Sequence, residues 1–141
     1  MLLDTNVVSE AMRVGADPAV LDWLRRQRVD KLYLAAPSLA ELLVGVEALP
    51  DGRRKETFSQ GLDHFVGTRI QSRVLPFDRH AAKLYAKLLV DARRRGAAIS
   101  VVDGQIAAIA RVHRLSVASR DTTPFLAAGV TVIDPWQHQN A

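Results

Sequence analysis

Four acidic residues of this sequence lie where an apolar stretch meets a turn or the start of a helix: Asp4, Glu41, Asp103 and Asp121. Asp4 is the clearest case, because it follows the apolar run 1–3 and nothing at the end of a strand requires a charge. Carboxylate oxygens are the ligands that hard divalent cations prefer, and a bound cation relieves repulsion among clustered carboxylates. The four acids therefore predict one site that holds a divalent metal.

A metal held in this way can lower the pKa of a bound water, orient a phosphodiester and stabilise the leaving oxygen. The chain around the acids is basic, with a net charge of +4 and 15 arginines among its 19 basic residues. An acidic pocket in a basic surface suits a nuclease, because arginine attracts phosphate. A mildly basic surface can also serve solubility alone, so charge by itself leaves both interpretations open.

The elements that must position these acids alternate between short strands and helices. Apolar stretches predict strands at 1–3, 32–36, 73–76, 115–118 and 130–133. Capping residues, glycines and apolar spacing predict helices at 6–13, 17–28, 38–49, 53–65, 78–95 and 100–113, with a helical turn at 125–128. This alternation predicts a single α/β domain over residues 1–141, with three layers and a central, mainly parallel sheet of four or five short strands flanked by helices.

In such a sheet the carboxyl ends of the strands and the first turns of the following helices share one edge, where ligands bind. Asp4 and Asp121 follow strands, and Glu41 and Asp103 fall in first turns. All four are therefore candidates for one edge, although the sequence leaves open which strands are neighbours.

Each acid also has a purely structural interpretation. Ser38-x-x-Glu41 and Ser100-x-x-Asp103 match the capping box or its aspartate variant. A carboxylate in the first turn stabilises a helix by ~0.3–1 kcal/mol without any function. The other two acids could serve as a helix N-cap and as the start of a turn.

Several functional classes are excluded or disfavoured. The chain has no cysteine, which excludes disulfides and fits a reducing compartment. Neither a secretory signal nor the ~18 apolar residues that cross a bilayer is present, so we expect a cytoplasmic protein without a membrane partner. No Walker A, GxGxxG or Gly-x-Ser-x-Gly pattern occurs. Candidate contacts with RNA are Arg120 and the three consecutive arginines Arg93-Arg94-Arg95. The alternative for these three is that they form the solvated end of a helix. We interpret the tryptophans Trp23 and Trp136 as packing residues.

Four segments taken together resemble the PIN domain. They are Leu2-Leu3-Asp4-Thr5-Asn6, Pro37-Ser38-Leu39-Ala40-Glu41-Leu42, Ile99-Ser100-Val101-Val102-Asp103-Gly104-Gln105-Ile106-Ala107-Ala108 and Ala118-Ser119-Arg120-Asp121. The similarity extends to the segment 130–136 and is greatest to VapC-type toxins of toxin–antitoxin pairs, in the FitB-like branch.

The resemblance implies the toxin of a type II toxin–antitoxin system, a Mg²⁺- or Mn²⁺-dependent endoribonuclease. Water would attack the RNA phosphodiester in line and leave a 5′-phosphate and a 3′-hydroxyl. Asp4, Asp103 and Asp121 would hold the metal, and Glu41 would bind a second metal or orient the water. The groups implied to support these acids are Thr5, Asn6 and Ser119.

The resemblance also implies partners: a cognate antitoxin whose C-terminal segment fills the groove, a second toxin copy in a homodimer, and operator DNA reached only through the antitoxin. One departure concerns the fourth acid. Many relatives carry Asn where Asp121 stands and an acid three residues later, where this chain has Pro124, so the acidic role falls on Asp121 alone.

Two other functions compete with the toxin. A catalytically silent module on the same fold, acting in antitoxin or operator DNA binding, would explain the basic surface and the capping-box matches. A receiver-type phosphoacceptor would need a lysine after a late strand, and every lysine here precedes residue 88.

Overall fold

The computed structural model describes residues 1–137, which contain five short strands, seven α-helices, a 3-10 helix (Val29–Lys31) and a π-helix (Val66–Ile70). The strands are β1 (Leu2–Leu3), β2 (Tyr33–Ala35), β3 (Val74–Leu75), β4 (Val117–Ala118) and β5 (Val132–Ile133). The helices are α1 (Thr5–Met12), α2 (Pro18–Arg26), α3 (Ala36–Glu47), α4 (Arg53–Phe65), α5 (Arg79–Arg94), α6 (Val101–Val112) and α7 (Thr122–Ala127). The end of the predicted 1–141 domain, residues 138–141, lies outside the described residues.

The strands form one parallel sheet in the order β3-β2-β1-β4-β5. From β1 the chain moves outward through β2 and β3, then returns to place β4 and β5 on the other side. This reversal opens a crevice at the carboxyl ends of β1 and β4. Leu3 pairs in register with Ala118, so the next residues, Asp4 and Ser119, meet at that crevice.

Side chains that alternate along each strand divide the core between the two faces of the sheet. Leu2 and Val117 belong to a buried cluster with residues of α5, α6 and α7. Leu3 and Ala118 belong to a second cluster with residues of α1 to α4. Helices therefore cover both faces, which confirms the predicted three-layer α/β architecture and explains why these strands are apolar throughout. Within residues 1–137, no helix combines the length and apolar character needed to cross a membrane.

Several predicted boundaries are confirmed, but two are wrong. Asp17, Asp78 and Ser100 are N-caps as expected. The helix predicted from Ser38 begins earlier, at Ala36, because proline fits the first turn of a helix, where its missing N–H costs nothing. The helical turn predicted at 125–128 also begins earlier, as α7.

Helices α5 and α6 pack closely at Gly104. A Cβ atom there would lie 2.8 Å from Cε2 of Tyr85. The Tyr85 ring is also in edge-to-face contact with Phe77, with centroids 5.8 Å apart, which restricts its movement. Because Gly104 follows Asp103, this close packing positions the turn of α6 that carries the acid.

We expect Gly104→Ala to lower the free energy of unfolding by roughly 1–3 kcal/mol, because the added methyl group overpacks the contact with Tyr85. Gly61→Ala in α4 is the control, since a Cβ there meets no atom within 4 Å. This change should raise stability by roughly 0.5–1 kcal/mol through helix propensity. Urea unfolding of both variants measures the difference, and equal effects would contradict the close packing.

Candidate functional site

The four acids predicted from the sequence line a single cleft of about 480 Å³ at the carboxyl edge of the sheet. Asp4 follows β1, Asp121 follows β4, and Glu41 and Asp103 lie near the starts of α3 and α6. The other lining residues are Thr5, Asn6, Ser9, Glu10, Arg13, Arg120 and Trp136. The fold therefore brings together four acids that are up to 117 positions apart in sequence.

Asp4 is the most deeply placed acid of the cleft, with 6% of its surface exposed. Its backbone N–H donates to the Ala118 carbonyl of β4 over 2.9 Å, which holds the residue in the sheet. Its Oδ1 accepts the Thr5 backbone N–H over 2.8 Å and its Oδ2 accepts the Ser119 hydroxyl over 2.7 Å. Asp4 is thus the N-cap of α1, as the structural alternative proposed, and also faces the cleft.

Ser119 organises the floor of the cleft. Its side chain is fully buried, and its backbone N–H donates to the Ile133 carbonyl over 2.9 Å. While its hydroxyl donates to Asp4, its oxygen accepts Asn6 Nδ2 over 3.2 Å and the Asp121 backbone N–H over 3.0 Å. One hydroxyl therefore joins two acidic positions and the first turn of α1.

The capping interpretation fails for Glu41. Its helix is capped at Ala35, and the Ser38 side chain is buried with no hydrogen-bond partner for its Oγ within the described residues. Glu41 Oε1 instead accepts the Thr5 hydroxyl over 2.8 Å. This contact links α3 to α1 across the mouth of the cleft.

Asp103 and Asp121 combine a structural and a cleft-facing position. The Asp103 backbone N–H donates to Ser100 Oγ over 3.1 Å, as half of a capping box. The other half, a bond from the Ser100 backbone N–H to the Asp103 carboxylate, is not among the hydrogen bonds of residues 1–137. Asp121 occupies the N-cap position of α7 without a side-chain capping bond, so its exposed carboxylate is not used as a cap.

Burial and mutual repulsion raise the pKa of two of these acids. The pKa of Asp4 rises from 3.8 to about 6, mainly because burial disfavours the charged form, with the charges of Asp103 and Glu41 adding to the increase. The hydrogen bonds from Ser119 and Thr5 oppose the shift. Burial also raises the pKa of Asp103, and the charges of Asp121 and Glu41 add to this increase. Hydrogen bonding with the Ser100 side chain lowers the same pKa and so opposes the increase.

The donor set suits an open site for a hard divalent cation. All four acids supply oxygen, and the charges of Asp103 and Glu41 act on the buried carboxylate of Asp4, a repulsion that a bound cation would relieve. Within residues 1–137, no group of three or more histidine or acidic side chains is arranged so that it could hold a metal ion, so any direct coordination here would use fewer side chains. Magnesium fits this arrangement, because it retains several waters and takes only one or two carboxylates directly.

The arginines predicted to contact RNA lie in different parts of the structure. Arg120 lines the acidic cleft. Arg93 and Arg94 line two other cavities, and Arg95 pairs with Asp91 over 3.3 Å and donates to the Ala127 carbonyl. The end of α5 therefore does not contribute to the cleft.

The sequence analysis missed the position of Trp136. Trp23 is a packing residue as predicted, with 2% of its surface exposed. Trp136 packs against the same core cluster but also lines the cleft, where Arg120 stacks over its ring. The signal that could have revealed it is its place just beyond a parallel strand, at the same edge as the acids.

Comparison with known proteins identifies close relatives. The family model of the PIN domain matches residues 1–129. The chain is 44% identical to VapC ribonuclease Y4jK of Sinorhizobium fredii, covering 97% of this chain and 98% of that protein. It is 40% identical to toxin FitB of Neisseria gonorrhoeae, covering 96% and 98%. The structure of FitAB bound to the IR36 DNA fragment superposes with a TM-score of 0.92 at 37% identity, covering 99% of this chain and 97% of that one.

The two serines that precede acids by three residues should differ in their effect on stability. Ser100→Ala removes the N-cap of α6 and should cost about 1 kcal/mol. Ser38→Ala removes a buried hydroxyl without a partner and should be neutral or stabilising. Denaturant unfolding compares the variants, and a loss at Ser38 as large as that at Ser100 would restore the capping interpretation.

The pKa of Asp4 makes stability depend on pH. Because folding raises this pKa, the neutral carboxyl contributes stability that is complete below pH 3.8 and is lost as pH rises through about 6. The shift corresponds to about 3 kcal/mol. In EDTA, unfolding measured between pH 4 and pH 8 should show this loss in the parent and not in Asp4→Asn. Parallel profiles for the two proteins would contradict the assignment.

Proposed function

The chain belongs to the PIN-domain family, and on that basis we propose that it is the toxin of a type II toxin–antitoxin pair, a divalent-metal-dependent endoribonuclease. One observation carries the proposal: Asp4 is a buried carboxylate at the centre of the sheet, in one cleft with Glu41, Asp103 and Asp121. Such an accumulation of negative charge is costly for folding and is useful to a cation site. The relatives named VapC ribonuclease and toxin FitB support the same function.

Asp4, Asp103 and Asp121 would hold a Mg²⁺ or Mn²⁺ ion, and Glu41 would assist at a second metal or at the attacking water. When bound, the ion supplies a water of lowered pKa and stabilises charge on the phosphate and on the leaving oxygen. The chain's own groups preorganise the acids. Ser119 and Thr5 fix both oxygens of Asp4, and Thr5 also orients Glu41.

The acids have different tasks because their environments differ. Asp4 is buried, and each of its carboxylate oxygens accepts one hydrogen bond. The carboxylate can therefore hold a cation in one fixed geometry. Glu41 is exposed and joined to the rest of the site through one hydroxyl. It can therefore accept a proton from water in the open part of the cleft, where a single-stranded RNA backbone would pass. The basic surface would draw that backbone to the acids.

An antitoxin would bind beside the cleft. An apolar groove of about 250 Å³ between α1, α3 and α4 shares Thr5, Ser9 and Glu41 with the acidic cleft. It offers a continuous path on which the C-terminal segment of an antitoxin could cover the acids and block RNA. The relative FitAB bound to DNA supports an assembly that reaches operator DNA through the antitoxin. We expect a homodimer within that assembly, acting on RNA in the cytoplasm.

A catalytically silent module in antitoxin or operator DNA binding is the competing function. One of its reasons, the capping role of Glu41, does not apply in this fold. Metal binding separates the two functions: calorimetry of the antitoxin-free protein should detect Mg²⁺ or Mn²⁺ binding in the enzyme and none in the silent module.

RNA cleavage tests the assignment of the acids. With Mg²⁺ or Mn²⁺ present, Asp4→Asn and Asp103→Asn should each lose at least roughly a hundredfold in rate, because loss of groups that only support a metal already costs up to that much. Added EDTA should abolish cleavage by the parent. Expression of the parent should arrest growth, and Asp4→Asn should relieve the arrest.

The control for these variants is Asp22→Asn, the same chemical change at an exposed ion pair with Arg26 outside the cleft. It should cleave RNA at the parent rate. If the Asp4→Asn variant cleaved RNA at the parent rate, the nuclease assignment would be rejected.

A further inference from the structure

Arg120 and Trp136 together form one wall of the acidic cleft. The guanidinium carbon of Arg120 lies 5.1 Å from the centroid of the Trp136 ring, at a separation where a cation and an aromatic face attract each other. Trp136 is itself held, since its backbone N–H donates to Asp134 Oδ1 over 2.9 Å and its side chain packs against the core. The arginine therefore stacks on a fixed platform.

The main chain of Arg120 is tied to the acids. Its backbone N–H donates to Asn6 Oδ1 over 3.4 Å, and Asn6 Nδ2 donates to Ser119 Oγ. The Ser119 hydroxyl in turn donates to Asp4. Because the backbone is held in this way, the side-chain torsions of Arg120 decide where the guanidinium lies.

The guanidinium does not pair with the acids that share its cleft. Among the ion pairs of residues 1–137, none involves Arg120. The other arginine of the cleft, Arg13, pairs with Glu10 over 3.1 Å. An arginine that reached the four acids would make short, charge-assisted bonds and occupy the oxygens that a cation needs. Stacking uses the face of the guanidinium and leaves its in-plane N–H donors available.

We propose that Trp136 is a positioning residue that holds Arg120 at the mouth of the cleft, apart from the acids. In that position Arg120 binds a phosphate group of the RNA, while the acids remain available to the cation. This inference rests on the proposed nuclease function. It adds that the acids and the arginine of the site have separate tasks, the acids binding the cation and the arginine binding the RNA phosphate. The acids repel the RNA backbone, and the stacked arginine offsets that repulsion beside them.

Four variants test the proposal: Trp136→Leu, Trp136→Phe, Arg120→Ala and the double variant Arg120→Ala/Trp136→Leu. Trp136→Phe is the matched control, because it retains an aromatic face whereas leucine retains only apolar bulk. Calorimetry with Mn²⁺ alone measures metal affinity. Anisotropy of a labelled single-stranded RNA in EDTA measures RNA affinity without cleavage. Thermal unfolding confirms that each variant is folded.

Trp136→Leu should weaken Mn²⁺ binding by roughly fivefold, because the released guanidinium competes for the acids. The double variant should recover the parent affinity, and Trp136→Phe should stay near it. RNA binding should weaken by roughly fivefold in Arg120→Ala, and the double variant should lose no more than that single change. At saturating Mn²⁺, Trp136→Leu should raise KM for RNA with kcat within about twofold of the parent.

Two results would overturn the positioning role. In one, Trp136→Leu binds Mn²⁺ and RNA as the parent does. In the other, the double variant binds Mn²⁺ as weakly as Trp136→Leu, so that the ring supports the fold rather than the arginine. If Trp136→Leu does not fold, Arg120→Lys applies the same test, because an ammonium keeps the charge without the stacking plane. It should bind Mn²⁺ more weakly than Arg120→Ala, and equal affinity would reject the proposal.

A failure of the proposed function would look different. A parent protein that cleaves no RNA with either metal would reject the nuclease assignment, whatever the Mn²⁺ affinities of the variants. A parent that cleaves RNA, combined with unchanged constants in Trp136→Leu, would reject only the role of Trp136.

Discussion

The hydrogen bond between the Ser119 hydroxyl and the buried carboxylate of Asp4 is the contact on which the cleft depends. It joins the ends of β1 and β4, the two parallel strands at which the order of strands in the sheet reverses. The same Oγ atom of Ser119 also accepts hydrogen bonds from Asn6 Nδ2 and from the Asp121 backbone N–H. Because one buried hydroxyl serves these partners, Asp4 and Asp121 are held together at the ends of neighbouring strands, whereas Glu41 and Asp103 are carried by α3 and α6.

This arrangement places a buried carboxylate close to other acids at the centre of the sheet. Burial and the nearby acids oppose ionisation of Asp4. Two apolar clusters, one on each face of the sheet, provide the stability that tolerates this cost. A bound cation would remove much of the repulsion, so in the proposed function metal binding would stabilise the fold through the same carboxylates.

For some of the acids, a helix-capping role and a position in the cleft occur together. For others, the structure supports only the position in the cleft. Asp4 caps α1 with one oxygen and receives Ser119 with the other. At Glu41 the capping pattern is misleading, because Pro37 lies inside the first turn of α3 and shifts the helix start away from Ser38. Short capping patterns specify a spacing, whereas the start of the helix decides which residue in that spacing is the cap.

The sequence alone determined the alternation of strands and helices, the candidate acids and the basic character of the chain, since these follow from local spacing and composition. Only the tertiary structure decided which strands are neighbours, because the central pairing of β1 with β4 depends on contacts between residues more than a hundred positions apart. For the same reason it separated Arg120, at the cleft, from the Arg93-Arg94-Arg95 run at the end of α5. It also placed Trp136 under a guanidinium, a contact that no local pattern encodes.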